Sequence, residues 1–561
     1  MRELRRVKAG AVLVWLALAG CGGGGGDATA GGPAVVAAAP GATQAAASTA
    51  ATTATEATAT TATVSPSPAA DALAAANPVA VASATSTAES LASDGAAMPA
   101  SAAATADAAG SVAVAVTSPA PATAMAVVAV ATGSDSAAAE SAPAPRPPVL
   151  PRAAITAAEL AVVIAEGDAA SEAIGLAYQR ARGIPSAHVI RVPVPAGSDV
   201  IRAADFAALK AAIDARLPDA VQATLLTFSQ PSRVQGETCA MGITSALAFG
   251  YDARWCGQCS RTQASPYYDS DSTRPWTELR FRPSMMLGAR SVDAALALIQ
   301  RGVAADGSQP SGTGYLLRTS DSARSVRASD YPGLPAAWSE APGPALRYLD
   351  GSLPGGLQQL SGVPDLLFYF TGLARVPLLE TNQFLPGAAA DHLTSFGGLL
   401  PGGNGQMPAT DWLAAGATAS YGTVEEPCNY AEKFSRASVL IGHYLRGATL
   451  IEAYWKSVAW PGQGLFVGEP LARPWPDEAS AEVDGGELLL RTRSLRRTGV
   501  YRVDHRSSET AAWRTLASMV AGQPRPISWR VPLPASGGGQ LRWVGPCPTQ
   551  PASSCVLAGP P

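Results

Sequence analysis

Between residues 157 and 476 the apolar positions fall into two kinds of run, and the two kinds alternate. Residues 160–164 (LAVVI) are a short unbroken apolar stretch. Residues 169–183 (AASEAIGLAYQRARG) come next, with apolar side chains at helical spacing before a glycine. The run 188–194 (HVIRVPV) predicts a second strand, 203–217 (AADFAALKAAIDARL) a second helix, and 221–228 (VQATLLTF) a third strand. Strand, helix, strand, helix, strand in this order implies a parallel sheet with right-handed crossovers. The alternation resumes with a short strand at 283–287, a helix at 291–304 opened by Ser291 as N-cap, and strands at 314–319 and 365–371. A helix at 409–416, a strand at 417–424 and two helices within 435–458, broken near Gly447, complete the series.

After Pro476 the runs become short, alternating and closely spaced: 487–492 (ELLLRT), 499–505 (GVYRVDH), 512–517 (AWRTLA), 527–532 (ISWRVP) and 540–544 (QLRWV). That pattern predicts antiparallel strands. The expected fold class is α/β, a mostly parallel sheet flanked by helices over 151–479, followed by a small all-β sandwich over 480–561.

The first 150 residues behave differently. Arg2, Arg5, Arg6 and Lys8 precede an apolar run at 9–20 (AGAVLVWLALAG), the layout of an export signal too short to anchor a helix across a bilayer. The run ends in Leu18, Ala19, Gly20 and Cys21, which resembles a bacterial lipobox, so residues 1–21 are expected to end at a lipidated Cys21. Acyl chains contribute about 0.8 kcal/mol per buried methylene, enough for two or three chains to hold a protein on a membrane. Gly22 rather than Asp after the cysteine points to the outer membrane. Residues 22–150 hold eight acidic residues, one basic residue (Arg146) and no Trp, Phe or Tyr. Such a segment buries too little apolar surface to offset chain entropy, so it is expected to be a disordered tether with an end-to-end distance of about 60 Å.

With 40 basic and 44 acidic residues, the chain has no general attraction to nucleic acid, and none is expected as a partner. The expected partners are the membrane, through the lipid anchor, and a cell-envelope polymer or protein ligand. Six cysteines remain after Cys21, an even number for an oxidising compartment. Cys547 and Cys555 are close in sequence and expected to pair. Cys239, Cys256, Cys259 and Cys428 form either two disulfides of undetermined pairing or a four-thiolate zinc site. Disulfides are the expectation, with no metal and no cofactor.

Several words resemble an uncharacterised family of exported bacterial proteins, many of them predicted lipoproteins. They are 238–241 (TCAM), 245–252 (SALAFGYD), 282–286 (RPSMM), 291–293 (SVD), 314–321 (GYLLRTSD), 368–373 (FYFTGL), 390–398 (ADHLTSFGG), 416–427 (GATASYGTVEEP) and 468–474 (GEPLARP). That family carries no established activity. Its arrangement is distantly similar to the gingipain and caspase type of cysteine peptidase, in which a His-Gly follows one strand and the nucleophilic Cys ends the next. Here the first position reads Thr371-Gly372, and no cysteine stands near Ser395, so the resemblance implies a missing dyad.

GxSxG, HExxH and Walker motifs are absent. Among the four histidines, His188, His443 and His505 read as structural. His392 lies in Asp391-His392-Leu393-Thr394-Ser395 after a Gly/Pro stretch. There it is a candidate general base beside a carboxylate and hydroxyls, or a half-buried residue in a helix-starting loop that Asp391 caps. Thr371, Asp391, His392 and Ser395 are therefore the catalytic candidates. Asp321, Glu425 and Glu426, at predicted strand ends, are candidates for a hard cation or cationic ligand, or for pairing with Arg324, Arg327 or Arg436. Glu469 reads as a turn residue. Two functions stay open: a binding or scaffolding lipoprotein, and a hydrolase acting on a peptide or glycan in the envelope. Labelling cells with a palmitate analogue should mark the wild-type chain and leave Cys21→Ser unmarked; equal labelling would remove the lipid anchor from this reading.

Overall fold

All six residues of β1 (Leu160–Ala165) are buried. A strand that is apolar on both sides needs cover on both faces. α1 (Ala169–Arg182) begins where the Asp168 carboxylate accepts from the N–H groups of Ala170 and Ser171, and it ends at Gly183 with φ of 65°. β2 (Val189–Val192), α2 (Ala203–Asp214), β3 (Ala223–Leu226), β4 (Ser284–Met286) and α3 (Val292–Ala305) come after it, with the Ser291 hydroxyl accepting from the Ala294 N–H at the start of α3. The structure, a computed structural model, describes residues 144–547 except 339–342, 523–524 and 536. Residues 1–143, Cys21 among them, and Cys555 lie outside the described residues. No described helix is long and apolar enough to cross a membrane.

A second series continues with β5 (Thr313–Arg318), β6 (Ala345–Asp350), β7 (Leu366–Thr371), β8 (Phe384–His392), α4 (Thr410–Ala415) and β9 (Ala419–Thr423). α5 (Ala437–Leu445), α6 (Leu450–Ser457) and β10 (Gly464–Gly468) close it. The ten strands form one sheet in the order β2-β1-β3-β4-β10-β9-β8-β7-β5-β6. Of its nine neighbouring pairs only β9–β10 is antiparallel. The sheet is thus two parallel halves that run in opposite directions, and β10 joins them, parallel to β4 and antiparallel to β9.

Three of these strands depart from the sequence expectation. β6 and β10 were not foreseen, and Asp391 and His392 lie at the end of strand β8, not in a loop. Pro386 and Gly387 give β8 a loop-like composition, yet six residues from Gly387 to His392 are buried. β10 is bracketed by glycines for steric reasons. A Cβ on Gly464 would lie 2.4 Å from the Tyr421 ring, and one on Gly468 2.5 Å from the Thr418 carbonyl.

Six further strands make two three-stranded antiparallel sheets: β11 (Ser480–Asp484), β12 (Glu487–Thr492) and β15 (Ile527–Pro532) in one, β13 (Val500–Arg506), β14 (Arg514–Val520) and β16 (Gln540–Cys547) in the other. Leu488, Leu490 and Val531 of the first meet Val503 and Leu541 of the second, which is the core of a sandwich. Residues 144–150, assigned to the tether by composition, run along this sandwich. Arg146 bridges to Gln540, and Leu150 packs on the Leu488 cluster.

The four central cysteines form two disulfides, Cys239–Cys256 and Cys259–Cys428. Cys547 is also disulfide-bonded. The backbone of residues 397–398 crosses β9 so closely that a Cβ on Gly422 would lie 2.3 Å from the Gly397 carbonyl carbon. Gly422→Ala should therefore lower stability by about 2 kcal/mol or more, read as a fall in the urea midpoint at unchanged slope.

Candidate functional site

Both halves of the sheet are wound alike. The second strand lies on one side of the first, and the third and fourth lie on the other. Ligands of open α/β sheets enter beyond the carboxyl ends of the strands, where the order reverses. Two such crevices exist, one between β1 and β3 and one between β5 and β7, and the sequence-derived candidates cluster around the second.

The β5/β7 crevice is filled by the protein itself. The Thr319 hydroxyl donates to the Gly372 carbonyl at 2.6 Å, and the Arg324 carbonyl sits where a Cβ on Gly372 would be, 2.0 Å away. Arg327, 4% exposed, donates to the carbonyls of Thr371 (2.8 Å) and Asp391 (3.1 Å) and stands 5.6 Å from the Phe370 ring centre. It also forms an ion pair with the Asp391 carboxylate, which in turn accepts from the Ser435 hydroxyl. Burial pushes the Asp391 pKa upward, and Arg327 and Ser435 act against it.

Successive strand residues point to opposite faces, so Asp391 and His392 are turned away from each other. The Trp412 indole N–H donates to His392 Nδ1 at 2.9 Å, which leaves the ring proton on Nε2. Among the described residues no side-chain or backbone group meets Nε2 in standard hydrogen-bond geometry, nor the hydroxyl of Thr371, which lies opposite His392 in the β7–β8 register. Both residues are 1% exposed. Burial, then the charge of Arg327, pulls the His392 pKa down to about 3, against a raising effect of the Met407 backbone. Ser395 is half-buried three residues beyond the strand. Its carbonyl accepts from Thr423, and no hydrogen bond joins its hydroxyl to His392. The structure thus brings Thr371, Asp391 and His392 to one strand end without a base–hydroxyl or base–carboxylate contact.

Local partners engage the carboxylate candidates. Asp321 takes the Arg324 guanidinium at 2.8 Å and its N–H at 3.0 Å. Glu425 accepts from the N–H groups of Ala240 and Gln258 and from the Gln463 amide, and so holds the disulfide-bearing loop against β9. Glu426 accepts from the Cys428 N–H. Among the described residues, one group of three atoms has metal-ligand spacing, Cys259, Glu426 and Cys428, and its two sulfurs are bonded to each other. Glu469 stands between β10 and a turn at Pro470 and Leu471, as its sequence suggests, but its side chain points inward. Fully buried, it receives two bonds from Arg182 at 2.9 and 2.7 Å and one from the Tyr178 hydroxyl at 2.7 Å.

The β1/β3 crevice, by contrast, is open. It widens into a cleft of about 580 Å³ beyond the ends of β1, β3 and β4. Asp168, Ser171 and Ile174 line it from the start of α1, Thr227 to Gln230 from the end of β3, and Gly288 to Val292 from the end of β4 and the start of α3. Leu400, Pro401 and Thr410 close one side. Its polar groups are held in place. Ser171 Oγ accepts from the Ala165 N–H and shares a proton with Thr227 Oγ1 at 2.7 Å, and the Ser229 hydroxyl donates to the Ala289 carbonyl. The two charges are spent internally: Asp168 caps α1, and Arg290 pairs with Asp411. The volume falls within the roughly 300–1,000 Å³ usual for small-molecule sites. Sequence reasoning passed over this cleft because its residues are hydroxyls, small side chains and backbone. The available signal was a helix cap, Asp168 or Ser291, placed directly after a strand.

The unfolded chain protonates His392 near the ordinary 6.5, while the folded chain resists until about 3. Acid therefore favours unfolding, by nothing above neutrality and by about 2 kcal/mol at pH 5. His392→Asn keeps an acceptor for Trp412 and removes the titration. Its loss of stability from pH 7 to pH 5, measured by urea midpoints, should be smaller than wild type by about that amount. Comparison of the chain with protein-family models, with curated proteins and with solved structures found no match.

Proposed function

We propose that this chain is a binding protein of the bacterial cell envelope, held there by the lipid on Cys21, and that its ligand occupies the β1/β3 cleft. The observation that carries the proposal is the contrast between two equivalent crevices. One is plugged by Thr319, Arg324 and Arg327; the other is open and lined by positioned hydroxyls and apolar side chains. Both cleft charges are already engaged, Asp168 by the N–H groups of α1 and Arg290 by Asp411, so an uncharged, hydroxyl-bearing ligand of sugar or short-peptide size suits it. The hydrolase alternative gains no support from the strand-end residues. A general base needs a proton to take within about 3 Å, and His392 is sealed, neutral and held by the Trp412 indole N–H.

Ala196 is exposed at the cleft, and a tryptophan there would fill its mouth. In a thermal-shift screen of uncharged glycan and peptide fragments of the envelope, a stabilising fragment should lose its effect on Ala196→Trp. It should keep its effect on His392→Asn. A fragment that both variants bind like wild type would move the site elsewhere. Turnover that His392→Asn abolishes without unfolding would restore the hydrolase.

A further inference from the structure

A second cavity, of about 110 Å³, lies between α6 and the C-terminal sandwich. At roughly 10–15 Å³ per water-sized site, it has room for a small polyatomic ion with a water or two. Lys456, in the last turn of α6, lines it although the residue is only 2% exposed. The Lys456 ammonium carries three donors and has no hydrogen-bond acceptor among the described residues. Its nearest carboxylate oxygen, on Glu452, is 3.9 Å away, beyond hydrogen-bonding range.

Glu452 is occupied elsewhere. It accepts from the N–H groups of Ile155 and Thr449 and from the Thr449 hydroxyl at 2.6 Å, and it does not line the cavity. The Tyr267 ring, 4.9 Å from the Lys456 nitrogen, satisfies none of its N–H directions fully. The other charged groups facing the space have partners. Arg446 and Arg496 both bind Asp271, at 3.1 and 2.6 Å, so that carboxylate is neutralised twice. His443 gives one nitrogen to Asp269 and the other to Arg446. Arg152 pairs with Glu159 at 2.5 Å. Lys456, Arg446, Arg152 and Asp271 line the cavity itself.

Four cations stand around this space against four carboxylates, so Lys456 has counter-charge nearby in Glu452 but, among the described residues, no oxygen within hydrogen-bonding range, the place an oxygen-bearing anion would take. The geometry points to a site for a small oxyanion or carboxylate at this seam, with Lys456 as its principal ligand. Tyr501 and Trp543 of the sandwich, stacked at 5.3 Å, form part of its wall, so an occupant touches both the α/β region and the sandwich. Burial, partly offset by Glu452, draws the Lys456 pKa down to about 8, the behaviour of a desolvated ammonium. This site is independent of the β1/β3 cleft.

The test is the melting temperature of the full mature chain in sodium phosphate and in sodium acetate, each against chloride at matched ionic strength. Wild type should rise with the logarithm of phosphate or acetate concentration, and the stronger of the two tells inorganic oxyanion from carboxylate. Lys456→Met removes a buried charge whose ion pair with Glu452 is long, at 3.9 Å. It should melt at or above wild type in chloride and bind the anion at least tenfold more weakly. Lys456→Gln, which keeps a donor without the charge, should give an intermediate slope. An equal rise in Lys456→Met and wild type is a general salt effect and overturns the proposal. So does a wild type that responds to neither anion beyond chloride.

Discussion

The insertion of β10 between β4 and β9 is the constraint on which the rest of this fold depends. The strand arrives about 180 residues after β4 and 40 after β9 in the chain, and it alone makes one sheet of two. Its five residues pair antiparallel with β9 over their full length, while a single registered pair, Val467 with Met286, ties it to β4. The residue immediately beyond the strand reinforces the weaker side. Glu469 enters the interior and is met by Arg182 and Tyr178 of α1, and Arg182 also pairs with Asp306 just after α3. Gly302 of α3 makes the room, since a Cβ there would lie 2.4 Å from Glu469 Cγ. A buried ion pair of this kind adds little net stability over an apolar contact. Removing one partner would strand the other at a cost of about 3–5 kcal/mol. It therefore acts as a register pin for the β4 side of the sheet.

Because the halves run in opposite directions, their carboxyl ends lie at opposite edges of the sheet. Each half could in principle hold a ligand where its strand order reverses. The second half has used that place structurally. Arg327 fills it with a single guanidinium that serves the carbonyls of Thr371 and Asp391, the Asp391 carboxylate and Ser435. Five N–H donors in a rigid fork make arginine suited to such a plug, and lysine could not reproduce it. The first half keeps its crevice open: no side chain from the loops after β1, β3 and β4 bridges it as Arg327 bridges the second.

Periodicity made most elements legible. α1, α3, β12 and β15 lie within a residue or two of their predicted bounds, because each has an unambiguous apolar spacing and a cap or turn at its end. β8 was not legible because it is built largely from Pro, Gly and Ala, and β10 because its three large apolar residues, Leu465 to Val467, stand between glycines. Pro and Gly signal loop by composition and strand only where backbones must pass closely. The same blindness decided the candidate residues. Sequence favours groups with evident chemistry, so it selected Asp321, His392, Glu425 and Glu426, all of which the fold engages or buries. It read Glu469 only as a turn residue because nothing near it in sequence reveals Arg182, almost 290 positions earlier. It could not weigh Ser171, Thr227 or Ser229, whose interest comes only from facing one cleft.

Buried polar groups divide by how far the protein completes their bonding. In the Arg182–Glu469–Tyr178 group donors meet acceptors, and in the Arg327–Asp391–Ser435 group opposite charges touch although Arg327 Nε and Asp391 Oδ1 lack a hydrogen-bond partner among the described residues. Such networks specify packing. Lys456 differs. Its ammonium lines a cavity, pairs with Glu452 only at 3.9 Å and sits on a side chain that is otherwise buried, an arrangement with a desolvation cost. A fold that retains it carries a cost in its unliganded form that an anion would relieve. What separates Lys456 from His392 is access: the unmatched Nε2 of His392 is sealed inside the sheet, whereas Lys456 lines a cavity that a ligand could enter.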